Sequence, residues 1–190
     1  ALLAGDGLLN QAYIVISNEI LYSIKNQYKE NFESKVRAFQ EFTVAVDRMI
    51  AGEYLDTELE GQNISKEMLK YIHENKTGAL LKLCVRMGAI LANASEKDIE
   101  KLSIYAEKIG LAFQIKDDIL SEEGDEKITG KPVGNDKELG KCTYVSYYGL
   151  DGAKEELNKI TKEAIEQLEN YGEKAKFLKQ LAEYIQNRNK

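Results

Sequence analysis

Residues 95–120 read SEKDIEKLSIYAEKIGLAFQIKDDIL, and the reading of this stretch decides the fold class. Ser95 followed three residues later by Asp98 is a capping-box pattern, which satisfies orphan backbone donors at a helix start. Behind it Leu102, Ala106, Ile109 and Phe113 recur at spacings of four, three and four, the period of an amphipathic helix rather than a strand. The spacing predicts a helix from Ser95 to about Leu120 whose C-terminal end holds Asp117 and Asp118.

The same period extends outward on both sides. Leu9, Tyr13, Ile16, Ile20 and Ile24 form one stripe of a helix from about Leu2 to Ile24, which the polar segment Lys25 to Glu33 interrupts before a second helix from about Ser34 to Ala51. Gly52 to Asn63 reads as an acidic, glycine-containing loop. Ser65 then caps a third helix with Lys76-Thr77-Gly78 midway, and Asp151 to Leu168 and Lys174 to Asn187 return to amphipathic helix beyond a polar loop at Ser121 to Gly140. Pro132 is the only proline, and there is no strand pattern, internal repeat or sustained heptad. The expectation is an all-α helical bundle formed as a single domain over residues 1–190.

Composition narrows the function. With 190 residues and 43% hydrophobic content the chain can bury one sizeable core, while a net charge of −6 without a basic block excludes nucleic acid as partner. No run approaches the roughly 20 apolar residues of a membrane span, and no secretory signal opens the chain, so a cytoplasmic protein with no membrane association is expected. Cys84 and Cys142 lack metal-ligand spacing and read as two reduced thiols. The chain opens on Ala1-Leu2-Leu3-Ala4-Gly5 with no initiator Met and no capping residue, which suggests that an upstream part has been removed.

Asp117 and Asp118 are unfavourably placed against the helix dipole and call for a cationic partner. Alone, the pair reads first as a solvated acidic patch and second as ligands of a hard divalent ion such as magnesium, which takes few carboxylates and completes its octahedron with waters and phosphate oxygens. Lys131, Lys137 and Lys141, set among Gly124, Gly130, Gly134 and Gly140, turn the balance toward a diphosphate bridging metal and lysines. A lysine about 4 Å from a phosphate charge contributes about 4 kcal/mol at an effective dielectric near 20. A Walker A loop is excluded because five residues separate Gly124 from Gly130 and Pro132 stands at the metal-binding hydroxyl, and an EF-hand from Asp118 fails at Leu120 and Glu123.

Several segments together resemble the trans-isoprenyl diphosphate synthases, especially the bacterial farnesyl and geranyl diphosphate synthases: LAGDGL from Leu3, HENKTGA from His73, GLAFQIKDDIL from Gly110, Thr129-Gly130-Lys131, Gly134-Asn135-Asp136, LGKCTY from Leu139 and the terminal Arg188-Asn189-Lys190. The resemblance implies an isoprenoid-synthase-type bundle around a central cavity, with this chain lacking the N-terminal helices, the first aspartate-rich motif and the basic isopentenyl diphosphate loop. It implies a Mg2+-dependent prenyltransferase in which an allylic diphosphate ionises and isopentenyl diphosphate attacks the cation, farnesyl diphosphate being the expected product and a homodimer the expected assembly. By position, Asp117 and Asp118 would bind magnesium; Lys76, Lys131 and Lys141 would hold the allylic diphosphate; Phe113 and Arg188 would line or close the isopentenyl diphosphate site; and Lys76, Thr77 and Gln114 would shelter the cation. There is a physical reason for the last set, since Gly78 weakens the helix and frees oxygens to face positive charge. His73 is given no proton transfer and reads as packed or surface-exposed.

Two departures from the family pattern stand out. Ser121 replaces the third aspartate of the second motif, and Glu53 replaces a common Gln in Gly52-Glu53-Tyr54-Leu55-Asp56, where it would either tighten metal binding or sit in solvent, the latter slightly favoured. A chain with only one metal face is expected to bind diphosphate weakly and to be inactive alone. The competing readings are a catalytically silent partner subunit and a helical interaction protein; retention of Lys76, Gln114, Asp117, Asp118, Lys131 and Lys141 speaks against both.

Overall fold

The structure, a computed structural model, describes residues 2–26, 31–123 and 140–189. The lysine- and glycine-rich segment that includes Lys131 lies outside them. The described residues are helical, without a strand: α1 (Leu2–Lys25), α2 (Phe32–Glu58), α3 (Lys66–His73), a π-turn (Glu74–Gly78), α4 (Ala79–Leu91), α5 (Glu96–Glu123), α6 (Tyr144–Glu166), a 3-10 turn (Glu169–Ala175) and α7 (Lys176–Asn187). None is long and apolar enough to cross a membrane.

Helix α5 starts as its sequence dictates. Ser95 Oγ accepts from Asp98 N at 3.2 Å and donates to Asp98 Oδ2 at 2.6 Å. Its inner face, Tyr105, Ala106, Ile109, Ala112 and Ile115, meets Ala153, Leu157, Ile160 and Ala164 of α6 and Ala182 and Ile185 of α7 in the larger core. A second core joins Phe42, Ala45 and Val46 of α2 to Leu83 of α4, with Leu9, Tyr13 and Ile16 of α1 against it. Arg86 crosses between them: Nε donates to Glu41 Oε2 at 2.5 Å and Nη1 to Ser103 Oγ at 2.6 Å, so its charge is hydrogen-bonded where it is partly buried.

Three boundaries differ from the sequence reading. Helix α2 runs on to Glu58 instead of stopping at Ala51, because Gly52 is a packing contact and not a breaker: a Cβ there would lie 2.2 Å from Lys76 N and 2.7 Å from Asn75 C. The third helix divides at the π-turn, and Gly110 of α5 closes on that turn from another side, where a Cβ would meet Gly78 Cα at 2.9 Å. Helix α6 begins at Tyr144, not Asp151. Thr143 caps it by accepting from Ser146 N at 3.1 Å, and Gly149, at φ 68 and ψ 168, breaks the regular backbone before the amphipathic pattern starts.

Candidate diphosphate and metal site

The last turns of α2 carry Glu53 and Asp56 one helical turn apart, and Glu60 follows in the turn beyond. Lys76 projects from the π-turn, its Nζ 2.7 Å from Asp56 Oδ2 and 3.0 Å from Glu53 Oε2. Lys141, just ahead of the Thr143 cap, places its Nζ 3.4 Å from the same Asp56 oxygen and 3.6 Å from Glu60 Oε2. The two lysines expected to bind diphosphate, 65 positions apart, thus converge on one carboxylate. Burial pulls the Lys76 pKa down, but hydrogen bonds and charge from Asp56 and Glu53 outweigh it and leave the ammonium more firmly protonated than usual. Asp56 is the mirror case: burial raises its pKa, and Lys76 and Lys141 bring it below the ordinary carboxylate value.

A second group lies at the C-terminal half of α5. The Arg188 guanidinium sits 4.1 Å over the Phe113 ring, donates from Nη2 to the Phe113 carbonyl at 3.1 Å and pairs with Asp117 Oδ1. Gln114 Nε2 lies 3.4 Å from the other Asp117 oxygen. Asp118 turns inward: it is 8% exposed and its Oδ2 accepts from Tyr144 N at 2.7 Å, holding the first turn of α6. Thr77 is half-buried on the π-turn.

His73 and Tyr144 link the groups. Their rings stack at 5.7 Å and 21°, and His73, 6% exposed with Nδ1 unpartnered, has its pKa lowered to about 4 by burial, with Asp56 opposing and Lys76 assisting. An imidazole whose folded pKa lies below the unfolded value near 6.5 is protonated preferentially in the unfolded chain, so its contribution is lost as pH falls from about 6.5 toward 4. Urea titrations at pH 7 and pH 5 are expected to show a loss of about 2 kcal/mol that His73→Phe removes. An equal loss in that variant would place the acid sensitivity elsewhere.

The donor set fits magnesium in one way. Among the described residues no three His, Cys, Asp or Glu side chains are arranged to hold a metal ion by themselves, whereas Asp117 offers a half-exposed carboxylate to an ion completed by waters and phosphate oxygens. Asp56 entered the sequence reading only as the last residue of a family segment, with no role, and the Tyr144 bond of Asp118 escaped it. Extending α2 through Gly52 would have revealed Asp56 on one face with Glu53 and Glu60; the Asp118 bond spans 26 positions and leaves no local signal.

Residues 1–185 match the Polyprenyl synthetase family. The chain is 42% identical over 166 residues to the farnesyl diphosphate synthase of Bacillus subtilis strain 168, covering 86% of this chain and 54% of that protein. It is 34% identical over 194 residues to that of Escherichia coli strain K12, covering 100% of this chain and 64% of that protein. Its fold matches the crystal structure of an FPP/GFPP synthase from Zymomonas mobilis with a TM-score of 0.79 at 29% identity, over 96% of this chain and 59% of that one. The chain therefore spans between half and two thirds of the length of these relatives.

Proposed function

The chain belongs to the polyprenyl synthetase family, and from that premise we propose that it supplies one diphosphate-binding face of a magnesium-dependent prenyltransferase, joining an allylic diphosphate to isopentenyl diphosphate to give farnesyl diphosphate. The observation that carries this reading is the convergence of Lys76 and Lys141 on Asp56, which stores two ammonium groups side by side where a diphosphate would need both. Lys131, outside the described residues, is assigned to the same ligand by its position in the family motif. The farnesyl products named for the Bacillus subtilis and Escherichia coli relatives support the chain length.

In this reading Lys76 and Lys141 bind the allylic diphosphate and take up the charge that grows on it as the carbon–oxygen bond breaks. Gln114 and the π-turn at Lys76 and Thr77 present oxygen dipoles that stabilise the allylic cation without capturing it. Phe113 and Arg188 border the isopentenyl diphosphate site, Arg188 offering its guanidinium to that anion. Asp117 would hold magnesium and Asp118 would fix the α5–α6 junction beside it. When bound, the metal neutralises charge on the departing diphosphate. The departing diphosphate accepts the proton lost from the condensed product, so His73, neutral and stacked, has no part in that step.

A homodimer is proposed for the full-length protein from the family, and the apolar side chains of α1 that face outward, Leu3, Leu8, Val15 and Leu21, favour self-association of the 190 residues. Light scattering is expected to show association, and a clean monomer would oppose it. The function is tested by giving the gene product that carries these 190 residues dimethylallyl and isopentenyl diphosphates with magnesium. Geranyl and farnesyl diphosphates are the expected products, and the 190 residues alone are expected to bind diphosphate weakly without turnover. Cyclised or hydrolysed products in place of condensation would overturn the reading.

A further inference from the structure

Glu53 stands exposed at the rim, as expected, and there it pairs with Lys76. Three carboxylates, Glu53, Asp56 and Glu60, alternate with two lysines in an unbroken series: Glu53–Lys76 at 3.0 Å, Lys76–Asp56 at 2.7 Å, Asp56–Lys141 at 3.4 Å and Lys141–Glu60 at 3.6 Å. The members are not equivalent. Asp56 has a side chain 24% exposed and is shared, so its removal would separate both lysines; Glu53 is 55% exposed, held among the described residues by Lys76 alone, and has the flexible side chain of a rim residue. An anion arriving at Lys76 can therefore displace Glu53 into water at small cost while Asp56 keeps the two ammonium groups in place.

Resting on the diphosphate reading of Lys76, we propose that Glu53 is an affinity-setting residue of this site: its carboxylate occupies Lys76 when the site is empty, is displaced when a diphosphate binds, and returns as the diphosphate leaves. The effect is to weaken capture and hasten release of the inorganic diphosphate product, whose retention would block the next turnover. Metal recruitment by Glu53 fits less well, since Lys76 and Lys141 stand between Glu53, Asp56 and Glu60 and no three of the described carboxylates are arranged to hold an ion.

The test is calorimetric titration of the 190-residue protein with inorganic pyrophosphate, without magnesium, comparing wild type, Glu53→Gln and Glu58→Gln. The last removes the same charge from a neighbouring position near the end of α2 and serves as the control for charge alone. Glu53→Gln is expected to bind about threefold more tightly than both other proteins, and that advantage is expected to shrink as salt screens the exposed pair. Wild type binding pyrophosphate as tightly as Glu53→Gln, or Glu58→Gln gaining as much, would overturn the inference while leaving the proposed function standing. Absence of binding by all three proteins would also overturn the inference, and the proposed function is then decided separately by the condensation assay with magnesium.

Discussion

Gly52→Ala is expected to destabilise the protein by about 3 kcal/mol and to lower the thermal midpoint by about 10 °C, because the new methyl has no direction in which to move. The atoms it would meet at 2.2 and 2.7 Å are backbone of the π-turn, not the ends of flexible side chains. Relief requires α2 to withdraw from Lys76, which would also lengthen the Lys76–Asp56 and Lys76–Glu53 pairs. Gly88 within α4 is the internal control: a Cβ there meets nothing within 4 Å, so Gly88→Ala is expected to be neutral or to stabilise by up to about 1 kcal/mol through helix propensity. Thermal melts of the two variants side by side test this, and equal midpoints would mean that the α2 contact is looser than described.

Asp117→Ala is expected to lower condensation by roughly 100-fold, the scale on which loss of a metal-anchoring or charge-stabilising group slows an enzyme. The substitution also removes the Asp117 carboxylate from Arg188, whose side chain is 9% exposed, so a melt must accompany the assay. Magnesium titration monitored by diphosphate binding separates the two effects: a folded variant that still binds diphosphate but no longer responds to magnesium locates the loss at the metal. A loss under about threefold would show that Asp117 is not the anchor. Asp118→Asn should behave differently. Its inward oxygen holds the Tyr144 N–H, which an amide oxygen still accepts, and a smaller fall in activity is expected for that reason.

What the sequence disclosed follows the range of the forces involved. Helix α5 and its Ser95–Asp98 cap were legible because both rest on residues within one or two turns. Gly52 was misread because its meaning is a contact 24 positions away; taken locally, a glycine beside acidic residues is a loop signal. That error then hid the role of Asp56, whose shared face with Glu53 and Glu60 disappears if α2 ends at Ala51. The positions of Lys76, Lys141, Asp117 and Arg188 came through resemblance, whereas their pairing came only from the folded chain. Glu53 shows the difference most directly, since the substitution is visible in sequence and its partner is not.

Leu69, four positions before His73, belongs to the core under α5 and α6, while Leu83, beyond Gly78, belongs to the core of α1 and α2. A π-turn carries more residues per turn than an α-helix, so it advances the phase of everything that follows it. The single apolar stripe that would run through α3 and α4 is thereby dealt to two different cores, and the offset is locked between Gly52 and Gly110. Deleting one residue from Glu74–Gly78 would repair the helical hydrogen bonding locally and rotate α4 out of its socket. In this segment the number of residues decides which core α4 joins, while Lys76 and Thr77 decide what the turn presents.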